Sequence, residues 1–267
     1  MNEMQNTQFP WNFSLPVIVI ALLLAAFHVI TNGHGFTKRS IQFFAGIFFM
    51  LLATVSPLDH IGHHDLFFAH MTQHIILLLI VPPLLLTGTG PGFFLKIMEN
   101  SAVKAIGNVV LYPVVAWNFG VGCMWFWHIP AVFMAMMHSS LLHFLHLMSL
   151  LLCGFIFIWP VFAPVPWRRL DFLQRVLYLA TACIGCTLLG IFLTFASSGF
   201  YTSYITISDP ALIQLIRVDW GITKAMDQEI GGLIMWVPAC IIYFVFIIIS
   251  LLKWYNTPDK QTVEERN

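Results

Sequence analysis

His70-Met71-Thr72-Gln73-His74-Ile75-Ile76-Leu77-Leu78-Leu79-Ile80-Val81-Pro82-Pro83-Leu84-Leu85-Leu86 opens on two imidazoles and continues without a charged residue. About 17 mostly apolar residues suffice to cross the hydrocarbon core as a helix. The alternating pattern of barrel strands is absent, and lipid tolerates only helices or closed barrels. The stretch therefore predicts a membrane helix. His70 and His74 stand four residues apart and share a face of it, about 6 Å apart along the axis. A polar ring near hydrocarbon is costly without a partner. Imidazole suits zinc, copper, iron and nickel, while the thioether of Met71 favours Cu(I). Interfacial histidines bonded to backbone carbonyls or loop acids would give the same local pattern.

Outward from this stretch, the 267 residues are 59% apolar and 9% charged, against about a quarter charged in a soluble domain. Apolar segments at 13–30, 41–55, 70–86, 105–127, 141–162, 176–196 and 230–252 predict an all-α polytopic membrane protein of about seven transmembrane helices. Residues 1–254 read as one helical bundle domain and 255–267 as a polar cytoplasmic tail. The first residues lack the basic stretch of a cleavable signal, so the first span is expected to be retained. Ten of the twelve basic residues fall on one side: Lys38, Arg39, Lys96, Lys104, Arg168, Arg169, Arg175, Lys253, Lys260 and Arg266. Only Arg217 and Lys224 fall on the other. Lys/Arg excess marks the cytoplasmic side, which predicts an outer N-terminus and a cytoplasmic C-terminus. The net charge of zero offers no basic patch for nucleic acid. Five cysteines in or beside apolar runs do not make a secreted disulfide framework.

This orientation gathers His60, His63, His64, His70, His74, His128, His138, His143 and His146 at the outer ends of the spans. Only His28 and His34 fall at the inner end. Such a layer suggests a metal or cofactor station. His143 and His146 open the fifth span on one face, and two imidazoles from each of two helices would resemble a cofactor site in a bundle core. The stretch SPLDHIGHHD at 56–65 mixes acids and imidazoles. Asp59 there either takes part in metal capture or orients a ligating histidine, or else Ser56 and Asp59 belong to a helix start. His60, His63 and His64 singly read as solvated. Asp227 opens the seventh span, where a helix N-terminus favours negative charge. Met235 lies about two turns further along the same face as a candidate soft ligand. Trp125 and Trp127 fit an interfacial aromatic belt, and His128 beside them could join the cluster. Cys183 and Cys186 form a CxxC that small-residue packing explains.

The motifs occur in a definite order: SPLD at 56–59, HMxQH at 70–74, PPLLLTG at 82–88, WHIP at 127–130, the histidine start of span five, and DQxxGGxIMW at 227–236. In this the chain resembles the multi-spanning CtaG family of bacterial cytochrome c oxidase assembly factors, over nearly its whole length. The resemblance implies a multi-pass plasma-membrane protein that helps mature a haem-copper oxidase by supplying Cu(I) to the CuB centre. The oxidase catalytic subunit would be the partner, with copper donor proteins upstream. It also implies site positions at His70, Met71, His74, Asp227, Gln228, Met235 and Trp236. At span five the family resembles His-x-x-Glu-His, whereas this chain reads His143-Phe144-Leu145-His146-Leu147. The second histidine is either shifted by one place, or His146 stands for the acid and Leu147 for the histidine. The resemblance thus points to His143 more directly than to His146.

The expected metal set is His70, His74, Met71, His143, His146, Asp59, Asp227 and Met235, with no catalytic residue. Two other readings stay open. Facing histidine pairs also hold b-type haem in a haem or quinone redox protein, and a metal-free assembly scaffold would use its histidines as hydrogen-bond partners. Pairing of the chain with itself as a homodimer is open too. A hydrolytic zinc enzyme is disfavoured, since no HExxH, serine triad or phosphate loop is present.

Overall fold

The computed structural model describes residues 11–32, 35, 37–197 and 210–256. The helices are α1 (Leu15–Asn32), α2 (Lys38–Thr54), α3 (Pro57–His64), α4 (Phe67–Gly88), α5 (Pro91–Ile97), α6 (Ser101–Val110), α7 (Pro113–Trp127), α8 (Pro130–Met137), α9 (Ser140–Phe162), α10 (Phe172–Phe195), α11 (Pro210–Ile213) and α12 (Lys224–Tyr255). No strand occurs among the described residues. Five helices are long and apolar enough to cross a membrane, and up to seven if the bent pairs α2/α3 and α6/α7 each count as one span.

Capping chemistry sets many of the boundaries. Thr37, Asn100, Ser139 and Thr223 each accept a hydrogen bond from a first-turn amide of the helix that follows, satisfying donors that the helix leaves orphaned. Asp171 and Gln174 form a capping box on α10. Three stretches gain detail. The one after span two is helical, with the start that Ser56 suggested: Ser56 caps the Leu58 amide and Pro57 occupies the first turn. The fourth span is not one helix over 105–127. It bends by 65° ahead of Pro113, whose missing N–H and fixed φ break one helix and start the next. The segment 197–229 is partly helical. Its described part holds α11, a π-helical turn Gln214–Asp219 and the start of α12 at Lys224. Residues 257–267, most of the predicted tail, lie outside the described residues.

Helix α4 is the centre of the bundle, with 72% of its apolar window buried against 17–50% for the other long helices. Glycines let its neighbours approach. A Cβ on Gly154 of α9 would stand 2.6 Å from the Leu78 carbonyl oxygen, and one on Gly88 of α4 would stand 2.7 Å from the Phe43 amide of α2. Gly190 and Gly232 do the same between α10 and α12, the small-residue crossing that membrane helices use. The outer faces keep Leu22, Ile106, Leu177, Ile184, Leu188, Ile241 and Phe244 exposed, as lipid contact requires. Just past His74, α4 widens into a π-helical turn, Ile76–Ile80. Pro82 and Pro83 cannot donate to the carbonyls four residues back, and the Val81 amide bonds Ile76 instead. Single π turns of this kind recur at functional sites.

Candidate metal centre

Helix α4 brings His70 and His74 onto the face that meets α9, which supplies His146. His74 Nε2 lies 3.0 Å from His70 Nε2 and 2.8 Å from His146 Nε2. One ligand nitrogen from each of the three rings lies within 4.8 Å of the other two. Three coplanar nitrogens at ~2.0 Å from one ion would stand about 3.5 Å apart. The two short separations fall about half an ångström inside that value, so a small outward shift of the rings would admit an ion. All three side chains are fully buried. The His70 and His146 rings stack at 5.0 Å, and Trp127 packs edge-on against His146 at 4.9 Å.

The proton count makes this cluster informative. A neutral imidazole has one N–H and one lone pair. The single lone pair of His74 Nε2 cannot accept from both neighbours in good geometry. Nor can its single proton serve both. At least one short nitrogen–nitrogen contact therefore lacks a well-placed proton, as at a site shaped for a cation. His74 Nδ1 and His146 Nδ1 are buried and have no hydrogen-bond partner.

A second contact of the same kind borders the first. His128 Nδ1 lies 2.6 Å from the Met124 carbonyl oxygen. A carbonyl only accepts, so the neutral ring carries its proton on Nδ1 and turns the Nε2 lone pair to Met71 Sδ, 3.3 Å away. The thioether is also an acceptor. Two acceptors facing each other in a buried site suit a shared soft cation. The His74 and His128 rings are 5.1 Å apart, so this His–Met pair is contiguous with the three histidines. Sequence reasoning gave His128 only an optional place beside the aromatic belt.

The remaining expected residues have other partners. His143 borders the trio, its ring centre 6.1 Å from that of His146. Its Nε2 donates to Asp59 Oδ1 at 3.1 Å. Asp59 Oδ1 also accepts from Gln73 Nε2 at 2.9 Å, and Oδ2 accepts from Asn12 Nδ2 at 2.6 Å. Gln73 in turn donates to the Ala53 carbonyl at 2.7 Å. Asp59 and His143 thus form a polar layer next to the trio. His146 joins the cluster, whereas His143, to which the resemblance points more directly, pairs with an acid. The signal for Gln73 and Asn12 was weak, since neither is a metal-ligand type in a histidine-rich pattern.

Asp227 caps a helix. Helix α4 has no N-cap side chain of its own. Both oxygens of Asp227 reach it from α12, accepting from the Phe67 and Phe68 amides at 3.1 Å each. Arg217 lies 4.0 Å from the same carboxylate. Asp227 therefore fixes the start of the helix one turn before His70. Met235 is fully buried on α12, and its carbonyl accepts from the Cys186 thiol at 3.4 Å. Cys183 faces Cys240 at 3.1 Å across α10 and α12 and does not pair with Cys186.

Residues 18–257 match the cytochrome c oxidase caa3 assembly factor (Caa3_CtaG) family. The chain belongs to this family. With its apolar helices, this makes it a multi-pass protein of the bacterial plasma membrane. An uncharacterized protein of Mycobacterium leprae (strain TN) is 23% identical over 219 residues, which cover 75% of this chain and 32% of that protein. The chain spans about a third of the length of that curated relative. No solved structure matches it.

Proposed function

We propose that this family member carries Cu(I) on His70, His74 and His146 and gives it to the CuB centre of the oxidase catalytic subunit. The supporting observation is the convergence of three buried imidazole nitrogens from two helices. The three ligands are neutral, and burying an uncompensated charge is expensive. A monovalent ion suits such a set better than a divalent one. The adjoining Met71 thioether adds the soft donor that favours Cu(I). With His128 and Met71 beside it, the trio offers an incomplete shell, which suits cargo that must leave again. The reading places the histidine layer at the extracytoplasmic end, as the bias of basic residues requires.

Anaerobic titration of detergent-purified protein with Cu(I), followed by elemental analysis and an absorption spectrum, tests this. One tightly held Cu(I) per chain is expected, lost in His70→Ala/His74→Ala. Copper retained by the double variant at the parent's level would overturn the assignment. A Soret band abolished by His74→Ala would make the protein a haem carrier. A clean spectrum with no copper uptake would leave a metal-free scaffold. Alkaline phosphatase fused after Trp254 should be inactive; activity there would reverse the topology.

A further inference from the structure

The trio is sealed, so an ion needs a way in. Asp59 lies at the head of one. Because its carboxylate only accepts, His143 carries its proton on Nε2 and keeps a lone pair on Nδ1. That Nδ1 is buried without a hydrogen-bond partner, and so is Nδ1 of His63. The two rings are 3.9 Å apart. Both line a cavity of about 400 Å³, together with His60, His64, Asp59 and Asn12. His64 is exposed. From it the imidazoles form an unbroken file. His64 to His63 is 4.4 Å, His63 to His143 is 3.9 Å, His143 to His146 is 6.1 Å and His146 to His74 is 4.8 Å between ring centres.

We infer that His63 and His143 form a second Cu(I) site, a capture station in this cavity that hands the ion to His146. The inference rests on the copper reading of the buried trio. Each element has a physical task. Cu(I) is stable with few ligands, so it moves by exchanging one imidazole for the next with no change of oxidation state. The Asp59 carboxylate supplies a negative charge beside the point where the cation sheds water, which lowers the desolvation cost. Its hydrogen bond also fixes the His143 ring with the lone pair available, the arrangement in which an outer-shell acid orients a ligating histidine. Asn12 and Gln73 hold the carboxylate from two further directions. The surroundings of His63 explain why single histidines in the sequence looked solvated: its neighbours come from α9 as well as from its own helix.

Stopped-flow loading of the full-length protein in detergent tests this, with Cu(I) supplied anaerobically as its bicinchoninate complex, whose colour reports transfer. His63→Ala should slow loading of the trio about tenfold, the effect expected for loss of a supporting partner, while the one tightly held Cu(I) and its affinity stay at the parent's level. Asp59→Asn should slow it similarly by freeing the His143 tautomer. In His70→Ala/His74→Ala, a weak Cu(I) should remain and vanish when His63→Ala is added. Loading at the parent's rate in both His63→Ala and Asp59→Asn would overturn the capture station and leave the trio intact. Loss of the tightly held Cu(I) in His63→Ala, with an unchanged melting temperature, would overturn it too, since His63 would then belong to the tight site. Failure of the parent to take up any Cu(I) would instead sink the copper reading itself.

Discussion

His28 and His74 are both buried imidazoles in membrane helices, and their surroundings differ in kind. His28, towards the other end of the bundle, is complete. Its Nδ1 accepts from the Asn32 amide at 3.2 Å, and its Nε2–H donates to Ser40 Oγ at 3.1 Å, whose hydroxyl donates in turn to the Gly35 carbonyl. Its ring stacks on Phe43 at 4.5 Å. One tautomer satisfies every group. His74 meets two other imidazole nitrogens at Nε2 and nothing at Nδ1. A buried polar group left unmatched costs about 1–3 kcal/mol. Several such mismatches at one point mark a place where a ligand repays what folding does not. Partner chemistry, more than burial, separates a structural histidine from a ligand.

The most severe way to break this comparison is to remove one histidine of each kind. His146→Ala should lower Cu(I) affinity by about 100-fold or more, because loss of an outer-shell partner alone costs ~10–100-fold. His28→Ala should leave the affinity unchanged and lower stability by about 1–3 kcal/mol, since it strands the Asn32 and Ser40 groups. Competition titration reads the first and thermal unfolding in detergent reads the second. Equal losses of copper in the two variants would mean that a general loosening of the bundle, and not the trio, controls binding.

A smaller effect is expected at Asp227, which lies near the histidine layer yet resembles His28 in being fully partnered. Asp227→Ala uncaps α4 and should cost about 1–2 kcal/mol of stability. Through the displaced first turn it should also weaken Cu(I) by about tenfold, as supporting residues do. Asp227→Asn keeps one acceptor oxygen and should fall between parent and Ala in both measurements. If Asp227 were a ligand, Asn and Ala would lose copper alike with stability unchanged.

Much of the bundle could be read from the sequence because hydropathy reports span length directly. The seven apolar segments correspond to the five long helices and two bent pairs. The missed features depend on single residues acting in context: the break at Pro113 and the π turn ahead of Pro82 and Pro83. The i, i+4 spacing put His70 and His74 on one face without help from tertiary structure. His146 was in the expected set, but only the packing of α9 on α4 at Gly154 separates it from His143, which spacing within α9 cannot do. Asp227 looked like a ligand because acidic residues at a helix start are ambiguous. Only the α4 amides, 160 residues away in sequence, show that it caps a helix other than its own.

The finest test concerns Met71, where the two kinds of environment meet. Its sulfur faces an imidazole nitrogen that cannot donate, yet a buried methionine in a membrane helix is also ordinary packing. Met71→Leu keeps the volume and should change stability by less than about 1.5 kcal/mol. If the thioether shares the ion with His128, Cu(I) affinity should fall measurably while Zn(II) affinity stays at the parent's level, since thioether selects the softer ion. Parallel competition titrations with both metals read that difference. An equal fall for both would trace the loss to packing around the trio. No fall for either would class Met71 with the bundle core, leaving nitrogen ligands alone to hold the ion.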